Sequence, residues 1–289
     1  MGTSTGSVTS PDGTTIGYRR IGERGSAVVL LHGAGQSSGN LTRLAQALSC
    51  RFTVYVPDRR GRGLSGPIRD GHGLQTEVED LCALLDASGA ARVFGLSAGA
   101  VIAIETALVR PDIRRLALYE PPLSFNGVQH AGWVPRYEQH LEAGRPGAAL
   151  ITVLKGTGDR TSVLRFLPSA LLALPLDAVI RHTADRVMPD GAVSPRELIS
   201  TIRYDARTVM QAEGKLERFS VLTCEVLLMG GTRSNRPLTA TLDGLSRVLP
   251  NARRVVLPRV GHTAADNSGR PFLVARPLLA FLLPRVPAG

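Results

Sequence analysis

Lysine is nearly missing from this chain of 289 residues: it stands only at Lys155 and Lys215, so arginine carries almost all of a formal net charge of +10. The arginines are scattered, and no basic helix face able to follow phosphates emerges, which argues against a nucleic-acid groove. The tightest basic group, Asp58-Arg59-Arg60-Gly61-Arg62-Gly63, lies in a glycine-rich loop. Charge of this kind acts on association, with an anionic substrate or an acidic carrier protein, rather than on fold. Cysteine is scarce and odd in number. Cys50, Cys82 and Cys224 form no CxxC pair and have no metal-ligand spacing, so they read as small buried side chains in a reduced compartment, and no metal is expected. No apolar run reaches the roughly 18 residues of a membrane span. The first thirteen residues hold no basic segment leading into an apolar core. The expectation is a cytoplasmic protein without membrane or nucleic-acid partners.

What is present is ordinary globular material, 43% hydrophobic and 20% charged, enough for one large α/β domain with an inserted subdomain. Apolar, β-branched runs alternate with helical patterns through the first 120 residues, as crossover units of a parallel sheet do. Thr14 to Arg20 reads as an edge strand after the Asp12-Gly13 turn, and Ala27 to Leu31 as a strand buried on both faces. Phe52 to Val56, Val93 to Leu96 and Leu116 to Tyr119 continue the series, with helices between them at Leu41 to Leu48, Thr76 to Ala87 and Ala98 to Val109. From Pro121 to Phe219 only helical segments follow one another. Strands resume at Glu225 to Met229 and Arg254 to Leu257, and a helix from Pro271 to Leu283 closes the chain.

Gly95-Leu96-Ser97-Ala98-Gly99 follows an apolar strand and opens a helix, the strand-turn-helix setting that a nucleophile elbow requires. Such a turn strains the serine backbone and needs small neighbours where strand and helix approach. It also places the hydroxyl at a helix N-terminus, which favours negative charge developing nearby.

With these residues the chain resembles the α/β-hydrolase superfamily over nearly its whole length. His32-Gly33-Ala34-Gly35 resembles the family's oxyanion loop after the third strand, Asp58-x-Arg60-Gly61-x-Gly63-x-Ser65 the loop after the fourth, and Gly261-His262 the loop of the catalytic histidine. The resemblance implies a mostly parallel eight-stranded sheet flanked by helices, with residues 1–120 and 220–289 as the core and 121–219 as a helical cap inserted after the sixth strand. It implies Ser97 as nucleophile, His262 as general base, and an oxyanion hole from the backbone N–H groups of Ala98 and Ala34, with Gly35 open as a substitute for Ala34. His32 is expected to organise its loop. The other histidines, His72, His130, His140 and His182, lack the strand-end placement and preceding glycine of His262.

One carboxylate is missing. The family's acid follows the seventh strand, where this chain reads Gly230-Gly231-Thr232-Arg233-Ser234-Asn235, without a carboxylate. Glu120, before Pro121 at the end of the sixth strand, is the expected orienting acid; some superfamily members, certain haloalkane dehalogenases among them, carry theirs there. The proline is expected to hold Glu120 extended. Asp205, Asp243 and Asp266 remain open as alternatives. A serine at the elbow, where dehalogenases and epoxide hydrolases carry aspartate, implies cleavage of an ester, lactone or thioester through an acyl-enzyme. Trp133 and the apolar stretch Phe166 to Leu176 in the insertion suggest a mainly hydrophobic small-molecule substrate, free or linked to a carrier protein. No cofactor is implied, because the elbow glycines serve a serine turn rather than a phosphate cradle. Two other functions stay open: a lyase or cyclase using His262 as acid-base, and a binding protein with an impaired triad.

Overall fold

A computed structural model describes residues 2–127, 130–157, 168–184, 193–214 and 216–284. Eight strands form one sheet: β1 (Thr3–Thr9), β2 (Thr15–Ile21), β3 (Ala27–Leu31), β4 (Thr53–Pro57), β5 (Arg92–Leu96), β6 (Arg115–Tyr119), β7 (Glu225–Gly231) and β8 (Ala252–Leu257). Their order is β1-β2-β4-β3-β5-β6-β7-β8. The β1–β2 and β2–β4 pairs are antiparallel, and every later pair is parallel.

Beyond the charged first residues of β5, β6 and β7, Arg92, Arg115 and Glu225, the central strands are apolar because both faces are covered, and successive side chains serve opposite layers. Val29 and Leu31, Leu116 and Leu118, Val226 and Leu228 join α2 (Leu74–Ser88), α3 (Ala98–Val109) and α8 (Arg236–Val248) in one core. Their neighbours Val28 and Leu30, Ala117 and Tyr119, Leu227 and Met229 join α1 (Thr42–Leu48) and α9 (Pro271–Leu282) in the other. Helix α3 is buried from Ala98 to Ala107, which explains why it is apolar all round instead of amphipathic.

Two readings of the sequence need correction. Thr14 to Arg20 is not the edge: β1 lies outside it, pairing Thr3 with Ile21 through to Thr9 with Thr15. Polar and largely exposed, β1 lacks the apolar signature of a buried strand. The cysteines are not uniformly buried either. Cys50 is exposed, in the turn just beyond α1, while Cys82 and Cys224 are partly covered.

Among the described residues, four α-helices lie between β6 and β7: α4 (Val134–Glu142), α5 (Pro146–Thr157), α6 (Ser169–Ala184) and α7 (Pro195–Gln211). They share a small core of Tyr137, Ala149, Val153, Ile180, Ile199 and Ile202. Helix α7 starts on Ser194, whose side chain accepts the Glu197 N–H, with Pro195 at the first position. Its C-terminal end reaches the main core through Val209 and the capping residue Ala212. Among the described residues no helix is long and apolar enough to cross a membrane.

Candidate active site

Ser97 joins β5 to α3 at φ 54° and ψ −120°, a region that costs a non-glycine residue about 1–3 kcal/mol. The flanking glycines are steric necessities. A Cβ on Gly95 would stand 2.4 Å from the Gly99 carbonyl oxygen, and one on Gly99 would stand 2.5 Å from that of His32. The Ser97 N–H donates to Tyr119 O at 2.9 Å, which fixes the turn to the next strand.

His262 arrives from the loop after β8. Tyr119 Oη donates to the Gly261 carbonyl at 2.8 Å, and Arg233 N–H donates to Val260 O at 2.9 Å. Gly231 packs so closely on this loop that a Cβ there would lie 2.0 Å from Val260 O. The imidazole so held faces both expected partners, with Nε2 2.9 Å from Ser97 Oγ and Nδ1 2.8 Å from Glu120 Oε2. The carboxylate fixes the tautomer: Nδ1–H donates to Glu120, leaving Nε2 to accept the serine proton.

Glu120 is completely buried. Its backbone is not extended, as the following proline suggested, but lies at φ 47°. The Glu120 N–H still reaches Met229 O on β7, and the kink sends the side chain between the ends of β6 and β7. There Oε1 accepts the Gly231 N–H at 2.8 Å and the hydroxyl of Ser234. The residues at the missing-acid position therefore have defined tasks. Ser234 holds Glu120, and Asn235 caps α8 through the Leu238 N–H at 3.0 Å while donating to Thr157 O at 2.6 Å. The other carboxylates are engaged elsewhere. Asp243 pairs with Arg254, Asp266 accepts from Gln36 and Asn40 at 2.8 Å each, and Asp205 is bound to Gly35 and Arg62.

The His32–Gly35 loop is tied down on both sides. His32 Nδ1 donates to Gly33 O at 2.9 Å, and Nε2 accepts the Arg59 N–H at 3.2 Å. Burial, reinforced by Arg62 and Arg59, lowers its pKa to about 3, so the ring is neutral and structural. Gly33 N–H donates to Gln36 Oε1 at 2.8 Å and Gly35 N–H to Asp205 Oδ2 at 2.9 Å. The basic loop is also internal. Arg59 lies on Glu77, Arg60 on Asp80 and Asp12, and Arg62 on Asp205. These arginines are at most 3% exposed, so they contribute no basic surface.

Ser97 and His262 open into a cavity of about 70 Å³ whose walls include Ala34, Ala98, His130, Trp133, Val209 and Leu238. His130 was not expected there. Burial, then the nearby His262, holds its pKa down at about 4, and its Nε2 lies 3.2 Å from Thr241 Oγ1. No sequence signal marks it, since it stands in an irregular connection between β6 and α4. Phe166 and Leu167 of the apolar stretch lie outside the described residues, and its described leucines are not among the walls of this cavity, Leu171 and Leu174 being exposed.

Residues 28–276 match the model of the alpha/beta hydrolase family. The chain belongs to that family. It is 26% identical to 2-(acetamidomethylene)succinate hydrolase of Mesorhizobium japonicum, over 86% of each chain. A pimeloyl-[acyl-carrier protein] methyl ester esterase of Chromobacterium violaceum is 27% identical, over 83% of this chain and 88% of that one. Among solved structures, an alpha/beta hydrolase from Sphaerobacter thermophilus superposes with a TM-score of 0.75 at 30% identity, over 96% of this chain and 100% of the other. The enol-lactonase of Burkholderia xenovorans shares the fold with a TM-score of 0.68 at 21% identity, over 96% and 99%.

Proposed function

We propose that this member of the family is a serine hydrolase that cleaves an ester, lactone or thioester of a mainly hydrophobic small molecule through an acyl-enzyme. The observation that carries the reading is the continuous relay from Ser97 Oγ through His262 to Glu120, at 2.9 and 2.8 Å. Ser97 Oγ attacks the carbonyl carbon while Nε2 takes its proton; the new O–C bond forms as the carbonyl π pair moves onto oxygen. Collapse expels the alcohol, thiol or ring oxygen, which receives the proton from Nε2. Water then gives a proton to Nε2 and attacks the acyl-enzyme, and release of the acid returns the proton to Ser97. Glu120 keeps Nδ1–H oriented and stabilises the imidazolium without taking its proton.

Ala34 and Ala98 border the cavity beside Ser97, which supports their N–H groups as the oxyanion donors. Helices α4 to α7 act in this reading as a cap formed by residues 121–219, with Trp133 and Val209 giving it an apolar inner wall. Esterases acting on a carrier-bound pimeloyl ester among the relatives keep carrier-linked acyl groups within the substrate class. The test is exposure of the purified protein to a fluorophosphonate, followed by intact mass, with Ser97→Ala as control. Rapid single labelling that the substitution abolishes is the expected result. Absence of labelling in the unaltered protein would sink the reading.

A further inference from the structure

Asp205 belongs to inserted helix α7, yet its carboxylate bonds lead into the core loops. Oδ2 accepts the Gly35 N–H at 2.9 Å and Arg62 Nη1 at 3.4 Å, and Oδ1 accepts Arg62 Nη2 at 3.1 Å. Arg59 Nη1 lies 2.7 Å from the same Oδ1. Asp205 is wholly buried, and the two guanidiniums together with the Gly35 N–H hold its pKa below the usual carboxylate range despite that burial.

The cluster cannot simply follow α7. Arg59 is gripped from its other edge by Glu77 of α2, at 2.9 and 2.6 Å, and Arg62 Nη1 also donates to Gln36 O at 3.1 Å, just beyond the oxyanion loop. Buried charges with several fixed partners tolerate little displacement, because each lost partner leaves a desolvated charge uncompensated. Within the loop, Gly33 N–H is taken by Gln36 and Gly35 N–H by Asp205. Ala34, between them, borders the Ser97 cavity. Substituting Gly35 for Ala34 as oxyanion donor, an option the sequence left open, would require breaking the bond to Asp205.

We infer that Asp205 is a positioning residue for the oxyanion loop. By taking the Gly35 N–H and bracing the loop against Arg59 and Arg62, it leaves Ala34 as the loop's donor and makes the catalytic geometry depend on docking of α7. This inference rests on the serine-hydrolase reading. Asp205 also borders the Ser97 cavity, but both its carboxylate oxygens are taken by Gly35 and Arg62, so its loss is expected to fall on turnover more than on ground-state binding.

Two measurements test it. Asp205→Glu keeps the charge that the arginines require but displaces the carboxylate by one methylene. With p-nitrophenyl butyrate, kcat is expected to fall about 10²-fold while KM changes less than about twofold. Unchanged kcat, or a loss confined to KM, would overturn the inference. The second measurement uses the unaltered chain, so it decides even if the variant does not fold. Phosphonylation by an alkyl fluorophosphonate forms the Oγ–P bond and expels fluoride, the Ser97 proton passes to His262, and the phosphoryl oxygen occupies the oxyanion site. In amide NMR spectra the Ala34 resonance is expected to move downfield on adduct formation while Gly35 stays in place. A shifted Gly35 with an unmoved Ala34 would refute the inference and leave the hydrolase reading standing. Failure of the unaltered chain to form any Ser97 adduct would remove both.

Discussion

Ser234 donates its hydroxyl to Oε1 of Glu120, so the place where the family carries its acid holds instead a donor to a carboxylate from the neighbouring strand end. Strands β6 and β7 run side by side, with Tyr119 opposite Met229, so a carboxylate at the end of β7 is expected to reach the histidine as well. Glu120→Gln should lower kcat by about 10³–10⁴-fold, as loss of the orienting acid does. Adding Ser234→Asp to that variant should recover part of the loss, whereas Ser234→Asp alone should impair activity by placing a second carboxylate against the first. Steady-state kinetics on an ester that labels Ser97 would check all three; no recovery in the double variant would show that only the β6 position reaches His262.

The elbow offers a stability test. Gly99→Ala drives a methyl group to 2.5 Å from the His32 carbonyl and 2.7 Å from that of Leu31, both backbone atoms that cannot rotate away. Overpacking of this kind costs about 1–3 kcal/mol, and relief by separating α3 from β3 would also move Ser97. Urea unfolding should show that loss, and fluorophosphonate labelling should slow in the folded fraction. Labelling at the unaltered rate would mean that the helix start relaxes without carrying the serine.

Much of this arrangement was readable because it is local. The elbow, the histidine loop and the central strands each carry their signal within a few residues, and apolar runs covered on both faces are hard to mistake. Glu120 was readable from its place at a strand end, but its φ of 47° was not, since bonds from Gly231 and Ser234, more than a hundred residues away, hold it against the preference of a residue before proline. β1 escaped notice for the opposite reason: an exposed edge strand needs no apolar residues. The pairing of the arginine loop was the least readable. Sequence shows three cations but not the carboxylates of Asp12, Glu77, Asp80 and Asp205 that fold onto them.

That loop is expected to be among the costliest places to truncate. Arg60 lies on Asp80 through Nε at 2.6 Å and Nη2 at 2.7 Å and reaches Asp12 and Thr14 through Nη1. Arg60→Ala leaves Asp80 buried without its counterion, and breaking a buried pair in this way costs about 3–5 kcal/mol. Arg60→Met combined with Asp80→Leu should cost much less, because no charge is then stranded. Denaturant midpoints for the single and double variants measure the difference, and equal losses would refute the electrostatic account.

Acid should destabilise the fold in part through two histidines. The fold holds His32 at about 3 and His130 at about 4, both below the ordinary histidine value of about 6.5. Between pH 6.5 and 4 the unfolded chain therefore binds protons at these rings that the folded chain does not, and stability falls with pH. Asp80 and Glu105, raised by burial, oppose this trend from the same side, so the total slope alone does not isolate the histidines. His130→Gln does. Removing one ring that protonates only on unfolding should flatten the stability curve in this window by close to one proton, about 1.4 kcal/mol per pH unit. Urea unfolding of both proteins at pH 4.5, 5.5 and 6.5, values chosen to span about the two ordinary and shifted limits, would reveal it. Parallel curves would mean that His130 already takes up its proton in the folded cavity.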